Sequence, residues 1–422
     1  MAGWLRLRAR LGEYAAAAAL LLLLTAGTGW ADEGAAVTKL GMTAGFTGPT
    51  RAMAVELYRG AAACFNRYNS QRAPGQPPIE LLAADDGYEP GPAIENTVRF
   101  LTRDRVLALF SQLGTPTVSR VLPVLRAYAD QGARLFFPVT GLEASRTQPY
   151  VRYVYNLRAS YRQEIEALVA CFTGQGMTRI AICHQADAFG RSGWDGARRA
   201  LARRGLSLCG EATFARTVTQ GDDLTAQVRS LAACTPQAIL VVGSGPACTA
   251  LIRDLRQAGS DATVGLVSFA GGDILLRQLV GESLRCGLDL EKNLVLSQVT
   301  PDWRDDALPA AVDYRHALAE LGNRLPPPGG WHTESPREGS AVGFEGYLNA
   351  RLLLAILAAM PDPTDRHGLD AAATSIGPAD IGIGLPVSLS GASHQALDMV
   401  YLSTARKGRL EPLLASVAAV EE

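Results

Sequence analysis

From Val37 onward the chain alternates short apolar runs with segments whose apolar residues recur at helical spacing. The runs KLGMTA (39–44), IELLAADD (79–86), VLALF (106–110), RLFFPV (134–139), RIAICH (179–184), AILVVG (238–243), VGLVSF (264–269) and NLVLSQ (293–298) read as strands. Between them, 52–68, 163–172, 194–203, 223–232 and 246–258 read as helices, and 343–359 as one more. In one such segment Val118, Val121, Leu122 and Leu125 fall on a single helical face. Strands that are apolar on both faces and alternate with helices imply parallel sheets covered on both sides. The βα rhythm occurs in both halves of the chain, which predicts an α/β protein of two similar doubly wound lobes.

Polar residues gather where these strands end. The first strand runs into Phe46-Thr47-Gly48-Pro49-Thr50, the third into Ser111–Thr117, and the fourth into Thr140-Gly141. In open parallel sheets, ligands bind outside the carboxyl ends of the strands, where helices begin. The first N–H groups of a helix lack intrahelical partners, and its dipole favours an anionic group. One such loop is ordinary turn chemistry, because Gly and Thr also start helices. Three on one edge point to a site.

Length and composition narrow the class. At 422 residues the chain exceeds one ordinary domain. Its net charge of −1 gives no electrostatic case for nucleic acid or a membrane surface. At the N-terminus Arg6, Arg8 and Arg10 precede an apolar core, and Gly29-Trp30-Ala31 places small residues at −3 and −1. That is the pattern of a secretory signal peptide over 1–31, cleaved after Ala31. The apolar core falls short of the ~20 residues of a spanning helix, and no later stretch reads as long and apolar enough to span. The mature protein is therefore expected to be exported. Export permits disulfides, but the seven cysteines are odd in number, contain no CxxC pair and leave the pairing open.

Catalytic and metal signatures are missing. The five histidines are scattered without ligand spacing, and neither a P-loop, a GxGxxG nor a nucleophile elbow occurs. Gly243-Ser244-Gly245 lacks the elbow's spacing, and Asp85-Asp86 fits a capping role better than a carboxylate pair. The reading is a non-enzyme with no cofactor and no metal.

The pieces GFTGPT…LYRGAAACFNRYN (45–69), ELLAADDGYEP (80–90), FSQLGTPT (110–117), FFPVTGLEASR (136–146), VYNLRASYRQE (154–164), HQADAFGRSGWDG (184–196) and GFEGYLNARLLLAIL (343–357) occur in an order and spacing of their own. Together they resemble the type I periplasmic solute-binding proteins of ABC importers, in the branched-chain amino acid and amide-binding group. The resemblance implies two α/β lobes joined by three crossovers, closing on a ligand like a hinged clamp. Lobe one would hold 36–157 and 292–370, lobe two 158–291 and 371–422. It implies a monomer whose partners are a small-molecule ligand and an ABC permease.

Carried over by motif, the ligand's carboxylate would meet Gln112, Leu113, Gly114 and Thr115, then Val139, Thr140 and Gly141. Phe189 would close over it from lobe two. Tyr161, after the first crossover, fits a cleft position and a buried core ring equally well, as Ser160 fits a helix N-cap. Gly245 and Ala270 occupy the two lobe-two loops where amino-acid-binding relatives often carry an aromatic and an acid. Here those loops read Ser244-Gly245-Pro246 and Ser268-Phe269-Ala270-Gly271-Gly272, and the first carboxylate is Asp273. A buried ammonium without a partner is costly, so an amide, a urea-like compound, a carboxylate or an aromatic acid is as consistent as a branched-chain amino acid. The ligand-sensing domain of a signalling receptor is the alternative reading, and an amide hydrolase a third.

Overall fold

A computed structural model describes residues 37–330, 338–390, 392 and 394–413. The expected signal peptide and its cleavage point lie outside the described residues. Two parallel sheets organise the chain. The first has the order β2-β1-β3-β4-β5, formed by β1 (Thr38–Ala44), β2 (Ile79–Asp85), β3 (Ala108–Phe110), β4 (Leu135–Phe136) and β5 (Val154–Tyr155). Helices α1 (Arg51–Gln71), α2 (Pro90–Thr102) and α3 (Thr115–Ala127) connect its strands.

β3 and β4 are shorter than the apolar runs that predict them. Ser111 (φ 46°) and Phe137 (φ 55°) both take left-handed backbone, which breaks the ladder. A buried Asn349 holds the break, donating its side-chain N–H to Ser111 Oγ at 2.9 Å and to the Phe137 carbonyl at 3.3 Å.

The second sheet contains β6 (Ile180–Gln185), β7 (Glu211–Phe214), β8 (Ala238–Val242), β9 (Thr263–Leu266), β10 (Leu294–Gln298), β13 (Tyr401–Arg406) and β14 (Arg409–Pro412), in the order β14-β13-β10-β9-β8-β6-β7. Strands β6 to β10 lie parallel, and β13 joins β10 antiparallel. Helices α4 (Tyr161–Gly174), α5 (Ala188–Ala202), α6 (Thr225–Ala232), α7 (Gly245–Gln257) and α8 (Asp273–Cys286) belong to this lobe. Cys209 and Cys234 form a disulfide across the β7 and α6 segments; the other five cysteines are free.

The lobe boundaries differ from the expected ones at two places. The strand at 294–298, expected in lobe one, pairs with β9 and β13 in the second sheet. The chain therefore recrosses after Gln298. α9 (Pro309–Leu321), α10 (Ala341–Ala358) and α11 (Leu369–Ser375) follow in lobe one. The small ribbon of β11 (Ala379–Asp380) and β12 (Pro386–Val387), expected in lobe two, reaches α9, where Ala310 N–H donates to the Gly382 carbonyl at 2.9 Å.

α10 meets the length and composition of a membrane span, with mean hydropathy 1.3, contrary to the sequence expectation that no later stretch would. Its apolar surface is instead buried against α1. The two helices approach backbone to backbone: a Cβ on Gly60 would stand 1.8 Å from the Gly343 carbonyl, and one on Gly346 2.2 Å from the Leu57 carbonyl.

Two crossovers are bonded to one another. Asn156 N–H donates to His394 O at 2.7 Å, Ala396 N–H to Asn156 O at 2.9 Å, and Leu397 N–H to Leu157 O at 2.8 Å. Arg146 ties both segments, donating to Gln395 Oε1 at 2.7 Å and to the Arg158 carbonyl at 2.8 Å.

The interlobe cleft as candidate functional site

The loops after β3 and β4 run side by side beyond their strands. Leu113 N–H donates to Thr43 O, Val139 N–H to Gln112 O at 2.8 Å, and Gly114 N–H to Val139 O at 3.3 Å. This extension aligns Thr115 with Thr140, whose hydroxyl oxygens are 2.8 Å apart, and brings the Tyr161 hydroxyl to 3.1 Å from Thr115 Oγ1. All three side chains are fully buried. Thr140 Oγ1 also accepts from Leu142 N–H at 3.2 Å.

Gly141 permits the approach, since a Cβ there would lie 2.4 Å from Tyr161 N. Gly114 sits at φ 115°, and its missing Cβ leaves room for the Tyr88 ring. The Gln112 amide turns away from this cluster and donates to Thr97 of α2 at 3.1 Å.

Lobe two, which contributes Tyr161, surrounds its hydroxyl end with aromatic rings. Asp187 starts α5, accepting from the N–H groups of Phe189 at 2.9 Å and Gly190 at 3.4 Å. Phe189 lies 5.0 Å from Tyr161 and 4.9 Å from Phe269, centroid to centroid. Phe269 in turn stacks at 6.1 Å on Tyr88, which comes from lobe one.

Tyr88 has a left-handed backbone (φ 64°) and is fully buried. Asp86 holds it there, accepting from Tyr88 N–H at 2.8 Å and from Thr43 Oγ1 at 2.9 Å. Burial pushes the Asp86 carboxyl up to about 7 against those two hydrogen bonds. Asp85 likewise holds a turn, accepting from Thr47 and from Gly87 N–H. Across the cleft Gln185 donates to Asp187 at 2.6 Å and to the Tyr88 hydroxyl at 3.4 Å. Arg216 of lobe two pairs with Glu89 of lobe one.

Gly245 and Ala270 are packed on one another. A Cβ on Gly245 would meet the Ala270 carbonyl at 2.9 Å, and the Gly245 carbonyl accepts from Thr249 Oγ1 at 3.0 Å.

Below the rings lies a buried charge network. Arg158, in the first crossover, donates to Glu164 and to the Ser268 hydroxyl and stands 3.6 Å from Glu345 of α10. Glu164 also accepts from Ser268 N–H at 2.7 Å and from Ser297 Oγ at 2.6 Å. Burial raises the Glu345 carboxyl, with Arg158 opposing. Asp273 accepts from Trp303 Nε1–H at 2.9 Å, Arg304 at 2.5 Å and Ala341 N–H at 3.0 Å. It therefore ties lobe two to the crossover at 303–304 and to lobe one.

A family model described as periplasmic binding protein matches residues 37–409. The chain belongs to this family. A possible leucine/isoleucine/valine-binding protein from Rhodopirellula baltica SH 1 superposes with TM-score 0.78 and 29% identity, over 90% of this chain and 96% of that one. A fatty acid ABC transporter substrate-binding protein from Thermomonospora curvata shares the fold at TM-score 0.76 and 19% identity, over 91% and 93%. An amino acid binding protein of Pseudomonas aeruginosa is 22% identical over 250 residues, 58% of this chain. The aligned region spans 63% of that protein's length.

Within this periplasmic binding protein fold, Thr115, Thr140, Gly141, Tyr161 and Phe189 converge on one locus between the lobes. Gln112 turns to Thr97 and Gly245 and Ala270 pack on one another, while Leu113, Gly114 and Val139 give their N–H or carbonyl groups to the extended ladder. Sequence reasoning passed over Tyr88, Gln185 and Phe269. A Gly-Tyr pair after two aspartates was the available signal for the first.

Proposed function

We propose that this member of the periplasmic binding protein family is an exported substrate-binding protein. It captures a small polar ligand (amino acid, amide or carboxylate) between its lobes and delivers it to the permease of an ABC transporter. The carrying observation is the fully buried hydroxyl cluster in which Thr115 and Thr140 of lobe one meet Tyr161 of lobe two, whose ring packs on Phe189 of its own lobe. Hydroxyls donate and accept in defined directions, and a closed cleft strengthens each hydrogen bond by excluding water. The ligand bridges both lobes and shifts the population toward the closed form, which the permease would recognise.

Two measurements test this. Native mass spectrometry of the freshly purified chain should find a retained small molecule, and removing the gene should abolish cellular uptake of that molecule. Tight binding with undiminished uptake would sink the transport role and favour a sensing one.

A further inference from the structure

Resting on the binding role proposed above, we infer that the cleft selects a flat aromatic carboxylate without an α-ammonium group. Tyr88 from one lobe and Phe269 from the other serve as the two faces of its slot. The two rings are 6.1 Å apart at 29° between planes. A ring inserted between two others needs contacts of about 3.5–4.0 Å on each side, so its neighbours stand about 7–8 Å apart. At 6.1 Å the two fully buried rings touch each other directly, one to two ångströms closer than that. Because Tyr88 and Phe269 belong to different lobes, a slight opening at the crossovers supplies the difference. A tetrahedral aliphatic side chain is thicker than a ring and requires wider separation. Phe189 offers a third aromatic wall at 4.9 Å from Phe269.

The polar ends of the slot point the same way. Thr115, Thr140 and Tyr161 offer three neighbouring hydroxyls to a carboxylate. On the Tyr88 side, Gln185 is fully buried and its Oε1 has no hydrogen-bond partner among the described residues. Its amide orientation is fixed, because Nε2 donates to the Asp187 carboxylate. The open Oε1 is an acceptor, and it suits a ring hydroxyl or amide N–H at the far end of the ligand.

A zwitterion's ammonium would have to compete with Arg162, which stands 3.7 Å from Glu143, a carboxylate two residues from Gly141 with one buried oxygen still open. Asp187 is occupied by the start of α5 and by Gln185, and Glu164 by Arg158 and two serines. Asp273 serves the crossover at 303–304, and Asp86 the Tyr88 turn.

Calorimetry on the mature chain with 4-hydroxybenzoate, benzoate, cyclohexanecarboxylate, benzamide and leucine decides it. Benzoate should bind about tenfold or more tightly than its saturated counterpart, since stacking on two ring faces adds to simple burial. The 4-hydroxy compound should exceed benzoate, and leucine should bind weakest. Phe269→Leu should erase the preference for benzoate over cyclohexanecarboxylate while Tyr88→Phe keeps it. If those variants fail to fold, the comparison on the native chain still stands as the test. Leucine or cyclohexanecarboxylate binding as tightly as benzoate overturns the slot but leaves the binding role intact. Binding of no compound, from this set or from a wider panel of amino acids and amides, with no retained molecule in the mass spectrum, overturns both.

Discussion

The hydroxyls of Thr115 and Thr140, 25 positions apart in the chain, share a 2.8 Å hydrogen bond at the lip of lobe one. Each also has a second polar neighbour, Tyr161 for the one and Leu142 N–H for the other. Thr115→Val and Thr140→Val nearly keep volume while deleting that chemistry. A hydrogen bond to a charged group contributes about 1.5–3 kcal/mol, so each variant should bind at least tenfold more weakly. Each variant should also melt lower without ligand, because Tyr161 or Leu142 N–H then loses its buried partner, at about 1–3 kcal/mol. Unaltered calorimetric affinity in both variants would refute the site.

Asp273 should matter without touching ligand. Its carboxylate receives Trp303, Arg304 and Ala341 at the junction of the lobes. Asp273→Ala leaves those donors without their shared acceptor and should cost about 1–3 kcal/mol of stability. The Trp303 emission should shift as its indole N–H loses its partner. A variant with native stability and unshifted Trp303 emission would show the clamp to be idle.

A pH dependence follows from Asp86, whose folded-state carboxyl sits near 7 because of burial. An unfolded aspartate titrates near 4. The folded form therefore holds its proton longer, and the associated stability is full below about pH 4 and lost as pH rises toward 7. In Asp86→Asn the amide oxygen still accepts from Tyr88 N–H, and the amide nitrogen can donate to Thr43. That variant should lose less stability between pH 4 and 7 than the native chain. Denaturation midpoints measured across this range check it, and identical slopes in both proteins would contradict it.

Cysteine behaviour divides sharply. The Cys209–Cys234 bridge closes a loop of 25 residues, a length at which chain-entropy reasoning gives about 3 kcal/mol. Cys209→Ser should lower stability by that order. Burial pushes Cys64 and Cys183 up to about 12 and raises Cys248 as well. A thiol reagent should therefore modify the half-buried Cys171 and Cys286 first in native protein. Equal labelling of all five would reveal frequent opening of both lobes.

The two-lobe α/β architecture was legible because parallel strands buried on both faces leave long apolar runs. Thr115, Thr140, Tyr161 and Phe189 were singled out through their loop positions and the family's motifs, and the fold brings their side chains together. Other features left weaker traces. β5 is two residues long, too short to show a period. The hairpin of β13 and β14 turns at Lys407-Gly408, both at positive φ, a signal that was available and unused. The assignment of 294–298 to lobe one failed because a buried strand reads the same in either sheet; only its pairing with β9 decides. Phe269 looked like the end of a strand, and its role depends on Tyr88, which meets it from a distant part of the chain.

The bonded pair of crossovers at 156–157 and 394–397 makes one pivot, and Asp273's hold on the segment at 303–304 makes a second. A body held at two separated points keeps a single rotation, about the line that joins them. The lobes should then swing as a door does, with little twist or sideways slide. One distance between two fluorophores, one on each lobe, would suffice to track the whole motion, because a single angle specifies where every atom of the second lobe stands.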